Sequence, residues 1–333
     1  MKIALFGEGA GGILRENSTA SGTTGRGWLC WGAPVASTEM PAPIFDTHAV
    51  TSLDGTSIAW HSAGPPNAST TLVLANGLGG TYSAWRHQVA YLRDRVRFVT
   101  WDYRGLYGSG RPRDPHAFGV DAQVEDLFAV LDAAKVSSAV LVGWSMGVQV
   151  SLEALRRRPS LARALVLLNG TFGRPFSTLP GGFFAAQIVP QVLSALRRYH
   201  GLTSAALRRV VGWPETVGWL KRIGLVGPTL DDEVFADVVA AFGTMDMDAY
   251  FRTLKALGEH DAIDLLPRIR VPTLVITGDR DLLTPRKTAE RIAKKIPNAE
   301  ILVIKGGTHY TAVEFPELVA QRIEKFLRDH QLL

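Results

Sequence analysis

Ala139-Val140-Leu141-Val142-Gly143-Trp144-Ser145-Met146-Gly147-Val148 is the stretch whose reading decides the fold. A short apolar run leads into Gly-x-Ser-x-Gly, and helical patterning follows. A serine between two glycines, where a buried strand becomes a helix, is the sequence form of a nucleophile elbow. The reason is spatial. The turn is tight enough to strain the serine backbone, and side chains at Gly143 and Gly147 would collide with neighbouring backbone. The pentapeptide alone is common by chance; the strand before it and the helix after it make this instance specific.

Working outward, the same pattern repeats. Upstream, Asp54-Gly55 joins Thr47–Ser52 to Ser57–His61 as a hairpin turn. Thr71-Leu72-Val73-Leu74-Ala75 is a continuous apolar run emptying into Asn76-Gly77-Leu78-Gly79-Gly80. After a helical stretch, the strand Arg97–Trp101 opens a glycine-rich loop from Asp102 to Gly110. Asp121 is placed to cap the next helix, whose apolar positions Val124, Leu127, Phe128 and Leu131 recur at helical spacing. Downstream of the elbow, Ala164–Leu168, Pro272–Thr277 and Ile301–Ile304 read as buried strands, with helices at 285–296 and from Pro316. Apolar strands alternating with helices predict an α/β fold: a mostly parallel central sheet with helices on both faces. The alternation stops between Thr171 and Ala262, where the chain reads as helices broken by Gly and Pro. The expected organisation is a core of residues 44–170 and 263–333, with a helical cap of residues 171–262 on the ligand side of the sheet.

Composition bounds the rest. A chain of 333 residues, 46% hydrophobic and 20% charged, is an ordinary globular protein. A net charge of +5 is mildly basic, which favours anionic surfaces or substrates. Nucleic-acid binding also needs clustered charge and aromatic platforms, so no nucleic-acid partner is expected. Cys30 is the single cysteine, which excludes an intramolecular disulfide and a thiolate metal cluster. No apolar run approaches the roughly 18 residues that cross a bilayer.

Residues 1–43 read as a flexible tail. Ile3–Phe6 is too short for a signal-peptide core, and Trp28–Trp31 is soon interrupted by Gly32 and Pro34, so the expected location is cytoplasmic. Gly7-Glu8-Gly9-Ala10-Gly11-Gly12 fits Gly-x-Gly-x-x-Gly, but the strand, helix and distant acid of a dinucleotide site are missing. Met40 opens the first well-patterned stretch and is a candidate start, which would make residues 1–39 an over-extension.

A serine hydroxyl needs a base, and the base needs an orienting carboxylate. The later strand ends supply both. Gly278-Asp279-Arg280-Asp281-Leu282-Leu283-Thr284-Pro285 follows one strand, and Lys305-Gly306-Gly307-Thr308-His309-Tyr310 follows the next. The order Ser, Asp, His is the one expected when the nucleophile follows a central strand of such a sheet.

On these motifs, from about Phe45 to the C-terminus, the chain resembles a capped member of the α/β-hydrolase superfamily. The resemblance rests on an oxyanion loop, an Asp-x-Arg-Gly loop, the elbow, and the paired acid and histidine loops, in that order. It implies Ser145 as nucleophile and His309 as general base. The family's Gly-x-x-Asp-x-x-x-Pro pattern falls on Gly278, Asp281 and Pro285, making Asp281 the acid and Asp279 its competitor. An acid after the preceding strand is closed off, because that strand ends Asn169-Gly170 and no Asp or Glu occurs between Glu153 and Glu215. The oxyanion donors implied are the backbone N–H groups of Met146 and Leu78. Asn76 replaces the family's usual histidine, which puts the loop's supporting hydrogen bonds in doubt.

Asp102 and Arg104 are assigned to holding the glycine-rich loop. Trp144 and Phe172 are nominated as substrate contacts. Phe176, Phe183, Phe184, Trp213, Trp219, Phe242, Tyr250 and Phe251 supply mainly cap core and, in part, an acyl pocket. The acid-free window also carries Arg156, Arg157, Arg158, Arg163, Arg174, Arg197, Arg198, Arg208 and Arg209, a basic stretch able to make peripheral contact with an anionic membrane.

The expected activity is that of a cofactor-free, metal-free carboxylesterase or lipase-like enzyme acting on a small-molecule ester with an apolar acyl group. Lactonase, thioesterase, carbon–carbon hydrolase and perhydrolase activities share the triad. A non-catalytic hydrolase-fold receptor or scaffold is the alternative from another class.

Overall fold

A computed structural model describes residues 3–4, 45–178, 182–211, 213 and 215–333; residues 3–4, 177–178 and 182–186 are described by backbone alone. In chain order the strands are β1 (Ile3–Ala4), β2 (Asp46–Thr51), β3 (Ser57–Ala63), β4 (Thr71–Ala75), β5 (Arg97–Trp101), β6 (Ala139–Trp144), β7 (Ala162–Leu168), β8 (Thr273–Gly278) and β9 (Glu300–Ile304). Among the described residues they form one sheet in the order β1-β9-β8-β7-β6-β4-β5-β3-β2. Every neighbouring pair is parallel except β2/β3 and β3/β5. The β2–β3 hairpin turns at Asp54-Gly55 as the sequence predicts, with Gly55 at φ 84° and Asp54 accepting from the Thr56 N–H. β1 pairs Ile3 with Ile301 at the sheet edge, a placement outside the tail reading. Residues 5–44, with the Gly7–Gly12 motif and Cys30, lie outside the described residues.

The apolar runs are explained by coverage on both faces. The helices over the core are α1 (Arg86–Leu92), α2 (Val120–Ala133) and α3 (Met146–Arg157). Within central β6, Leu141 shares a buried cluster with Val124 of α2 and Val148 of α3. Val140 and Val142 point the other way and join Val89 of α1 and Phe326 near the C-terminus. This alternation is the period of two expected of a strand, with both faces dry. Asp121 lies within the first turn of α2 and Gly119 holds the cap position, so the carboxylate faces the helix N-terminal dipole instead of capping it.

Between β7 and β8 the chain inserts α4 (Gly182–Arg198), α5 (His200–Val211), α6 (Thr216–Arg222), α7 (Asp232–Thr244) and α8 (Met247–Leu257). Asp231 and Asp246 cap α7 and α8 by accepting from backbone N–H groups of the first turn. α4 and α5 pack on α8, α5 and α6 pack on α7, and α7 reaches the loop after β4. The two stems of the insertion meet at Gly173 and Asp261, where a Cβ on Gly173 would lie 2.6 Å from the Asp261 Cα. The core then closes with α9 (Arg286–Lys295), α10 (Thr311–Glu314) and α11 (Pro316–Asp329).

Candidate active site

The β6–α3 turn forces Ser145 to φ 55° and ψ −114°, a left-handed conformation costing on the order of 1–3 kcal/mol. The surroundings hold it there. The Ser145 N–H donates to the Leu168 carbonyl at 2.9 Å. A Cβ on Gly147 would sit 2.0 Å from the Ala75 carbonyl oxygen, and one on Gly143 would sit 2.4 Å from that of Gly147. Only glycine lets β4, β6 and α3 approach this closely, which is the physical content of the motif.

His309, on the β9–α10 loop, places Nε2 2.9 Å from Ser145 Oγ. Its Nδ1 lies 3.0 and 3.1 Å from the two Asp281 carboxylate oxygens. A carboxylate against Nδ1 assigns the ring proton to that nitrogen, leaving the Nε2 lone pair toward the serine hydroxyl. Asp281 also accepts from Leu283 N at 2.9 Å, Thr284 N at 2.8 Å and Thr284 Oγ1 at 2.7 Å. Burial pushes the Asp281 carboxyl up, but the charge His309 carries once protonated and the hydrogen bonds from His309 and Thr284 outweigh it and hold the group below its ordinary value. Asp279 turns away and accepts from Gly306 N instead. Of the two acids the sequence offers, only Asp281 reaches the histidine.

Three supports were not legible from motifs. Asn169, at the end of β7, is buried and donates through Nδ2 to both Asp281 Oδ2 and the Thr308 carbonyl, each at 3.0 Å. Its Oδ1 accepts from Thr311 Oγ1. The residue that excluded an acid at that strand end is therefore the one that orients the acid of the next. Glu314, also buried, accepts from the Thr308 N–H at 2.7 Å, from the Thr308 hydroxyl, and from Gly227 N at 2.6 Å, which ties the histidine loop to the insertion. Trp144 Nε1 donates to the His309 carbonyl at 3.0 Å, so this tryptophan positions the histidine backbone as well as lining the site.

Met146 is the first residue of α3, where backbone N–H groups have no acceptor within the helix. The 76–80 loop lies directly against the serine: a Cβ on Gly77 would be 3.3 Å from Ser145 Cβ, and Leu78 lines the same cavity. Asn76 supplies the loop's support after all. Its Oδ1 accepts from Trp85 Nε1 at 2.7 Å, and its Nδ2 donates to Thr100 Oγ1 at 3.3 Å. Its carbonyl accepts from Tyr103 OH at 2.6 Å. Asp102 accepts from the Gly108 N–H at 3.0 Å, and Arg104 forks onto Asp126 and reaches Asp54, so both residues hold the glycine-rich loop and its surroundings.

Ser145 and His309 open into a cavity of about 330 Å³. Its apolar wall includes Trp144, Phe176, Val189, Phe242, Tyr250, Leu254 and Leu283. Phe172, nominated from sequence, is not on that wall. The chain turns at Gly170-Thr171 so that its ring is buried under Arg291, with the guanidinium 5.1 Å from the ring centre. Trp213 and Trp219 are about half exposed on the outside of the insertion, and Phe251 is buried away from the cavity. The side chains of Phe183 and Phe184 lie outside the described residues.

This arrangement is that of a hydrolase built on an α/β sheet. Residues 70–316 match the alpha/beta hydrolase fold family, and the chain belongs to it. Relatives include the provisionally named carbamate hydrolase RutD of Caulobacter sp. (strain K31), 28% identical over 265 residues, covering 79% of this chain and 92% of that protein. Among solved structures, the enol-lactonase from Burkholderia xenovorans LB400 superposes with a TM-score of 0.69 at 24% identity, covering 85% of this chain and 100% of that one. An esterase from Exiguobacterium antarcticum superposes with a TM-score of 0.68 at 20% identity, covering 84% and 98%. These likenesses show the fold. No helix among the described residues is long and apolar enough to cross a membrane.

Proposed function

We propose that this hydrolase cleaves carboxylic esters of apolar acids through an acyl-enzyme on Ser145, with the inserted helices acting as a cap that selects the acyl group. The observation that carries the reading is the unbroken contact chain Ser145 Oγ–His309 Nε2 at 2.9 Å and His309 Nδ1–Asp281 at 3.0 Å, opening into an apolar cavity of about 330 Å³.

In this reading His309 takes the Ser145 proton as Oγ attacks the ester carbonyl, and the resulting imidazolium is held by Asp281. The backbone N–H groups of Met146 and Leu78 receive the oxyanion. His309 then protonates the leaving alcohol. Water, deprotonated by the same ring, attacks the acyl-enzyme, and collapse of the second tetrahedral intermediate frees the acid and Ser145. At about 30 Å³ per heavy-atom-sized group, the cavity holds on the order of ten such groups, which suits a medium-chain acyl moiety. A serine at position 145 argues against the carboxylate-nucleophile chemistry of haloalkane dehalogenases and epoxide hydrolases.

The carbamate hydrolase name of the sequence relatives supplies a second substrate class for the same attack, at a carbonyl flanked by nitrogen. A panel of chromogenic esters of increasing acyl length, with lactone, thioester and carbamate members, tests the proposal on wild type and Ser145→Ala. The expected result is a maximum at medium-chain esters that disappears in Ser145→Ala. Turnover that survives the substitution refutes the mechanism. A maximum on the carbamates refutes the ester assignment. Absence of both turnover and fluorophosphonate labelling favours a non-catalytic receptor.

A further inference from the structure

The outer layer of the insertion presents an apolar surface that the fold leaves uncovered. Ile188, Val192 and Leu196 of α4 and Tyr199 just beyond its end are all exposed and recur at i, i+4, i+8 and i+11, within one side of the helix. Val189 and Leu193 of the same helix pack inward, so the helix is apolar on the outside as well as the inside. α5 has no fully buried residue, and its Leu202 is 72% exposed. Trp213 and Trp219, between α5 and α6 and on α6, are 50% and 45% exposed. The helices that bear these residues rest on α7 and α8, so the exposed stripe belongs to the outermost layer of the insertion.

Charge on the same layer is predominantly positive. Arg198, Arg208, Arg209 and Arg222 are exposed and, among the described residues, form no ion pair. Glu215 is the single acid between Glu153 and Asp231. Elsewhere on the molecule most arginines are paired: Arg156, Arg157, Arg158, Arg252 and Arg322 each meet a carboxylate. Exposed aliphatic and indole side chains interspersed with unpaired guanidinium groups complement one surface in both respects, the headgroup–acyl boundary of an anionic bilayer.

We propose that α4–α6 dock this protein peripherally on an anionic membrane surface. Trp213, Trp219 and the α4 stripe enter the headgroup boundary, and the four arginines lie against lipid phosphates. No helix among the described residues is long and apolar enough to span the bilayer, so the contact is peripheral. α4 joins the two sites directly: Ile188 lies on the outer stripe, whereas adjacent Val189 lines the cavity beside Ser145. A docked molecule would thus hold its cavity wall at the lipid surface. The docking is read out by binding alone and stands apart from the ester-hydrolase reading, so failure of either leaves the other intact.

The test is co-sedimentation of the full chain with phosphatidylcholine vesicles, pure or containing about one third phosphatidylglycerol, across a salt series. The expected result is binding to the anionic vesicles at low salt, release at about 0.5 M salt, and weak binding to pure phosphatidylcholine. Each basic residue at such a surface is worth about a fivefold factor, so Arg208→Glu/Arg209→Glu should weaken binding by at least about 25-fold. Leu202→Ser/Trp219→Ser should weaken it at every salt concentration while leaving the salt dependence in place. Both pairs lie off the cavity and the Ser145 contacts, and wild-type far-UV dichroism controls for folding. The wild type decides the question even where a variant fails to fold. No binding to anionic vesicles at low salt overturns the proposal, as does equal, salt-insensitive binding to both lipids. Concentration-dependent dimerisation abolished by Trp219→Ser, without vesicle binding, assigns the face to a second copy of the chain and also overturns it.

Discussion

Replacing Asp281 by Asn should disable His309 by forcing the wrong tautomer, and the hydrogen bonds around the acid dictate why. Oδ1 accepts from the backbone N–H groups of Leu283 and Thr284 at 2.9 and 2.8 Å. These donors are fixed to the chain and cannot rotate, so the asparagine oxygen must take the Oδ1 position and its NH2 the Oδ2 position. Oδ2 faces His309 Nδ1 at 3.0 Å, Thr284 Oγ1 at 2.7 Å and Asn169 Nδ2 at 3.0 Å. The threonine hydroxyl can turn to accept. Asn169 cannot flip at little cost, because its Oδ1 already accepts from Thr311 and its Nδ2 also serves the Thr308 carbonyl. His309 Nδ1 then meets an NH2 donor at the nearer position, 3.0 Å away, while the oxygen at 3.1 Å is already engaged by two backbone N–H groups, so the balance shifts the ring proton toward Nε2. A protonated Nε2 cannot take the Ser145 proton. The expected loss in kcat at neutral pH is roughly 10³- to 10⁴-fold, or about 4–5.5 kcal/mol of barrier. KM should stay within about threefold, since Asp281 is buried behind the histidine, away from substrate. Steady-state kinetics on a medium-chain chromogenic ester, with the rate of fluorophosphonate labelling, measure this. A variant that keeps more than about a tenth of the wild-type kcat refutes the tautomer argument and with it the assignment of Asp281.

Two other perturbations test how the loops around the site are held. Arg104 and Asp126 are buried and bonded through both guanidinium and carboxylate ends, so Arg104→Met alone should destabilise by about 3–5 kcal/mol, whereas Arg104→Met/Asp126→Leu should recover most of that loss in urea unfolding. A double variant as unstable as the single one would show that the pair is not the source of the cost. Asp248 joins α8 to Arg111, just past the glycine-rich loop, and to Arg252. Burial pushes its carboxyl up, but hydrogen bonds from Arg252 and Arg111 outweigh that and lower it from 3.8 to about 2. A depressed value means that the ionised acid stabilises the fold above pH 3.8 and that this contribution is lost as pH falls toward 2. Asp248→Asn should therefore cost about 1–2 kcal/mol at neutral pH and flatten the stability profile between about pH 4 and 2, as followed by thermal unfolding. An unchanged acid limb would refute that linkage.

How much of this was legible beforehand follows from the range of the physics involved. Strand identity depends on local patterning, so the apolar runs around β4 to β9 and the β2–β3 turn could be read directly. The spatial order could not: nothing local in β4 states that it lies between β6 and β5. Met146 follows from the elbow motif and Leu78 of the 76–80 loop from the family resemblance, and the structure sets that loop against Ser145. Phe172 lies off the cavity because its direction depends on the turn after β7, whereas Phe176, four residues later, reaches it.

The sequence by itself determined the chemistry available at the strand ends. Gly143 and Gly147 leave room for the tight strand-to-helix turn that presents Ser145. The serine, acid and histidine each stand just beyond an apolar run whose type is decided within a few residues. The family pattern favoured Asp281 over Asp279, and the tertiary structure supplies the physical reason, since Asp281 lies 3.0 Å from His309 Nδ1 while Asp279 accepts from Gly306 N on the other side of the same short loop. The tertiary structure alone made Asn169 and Glu314 part of the site, since their partners lie 112 and 87 residues away along the chain. It also shaped the cavity from α4, α7 and α8. Local patterning follows from backbone sterics and short-range burial, whereas these contacts exist only once β7, β8 and β9 lie side by side and the insertion has settled across their ends.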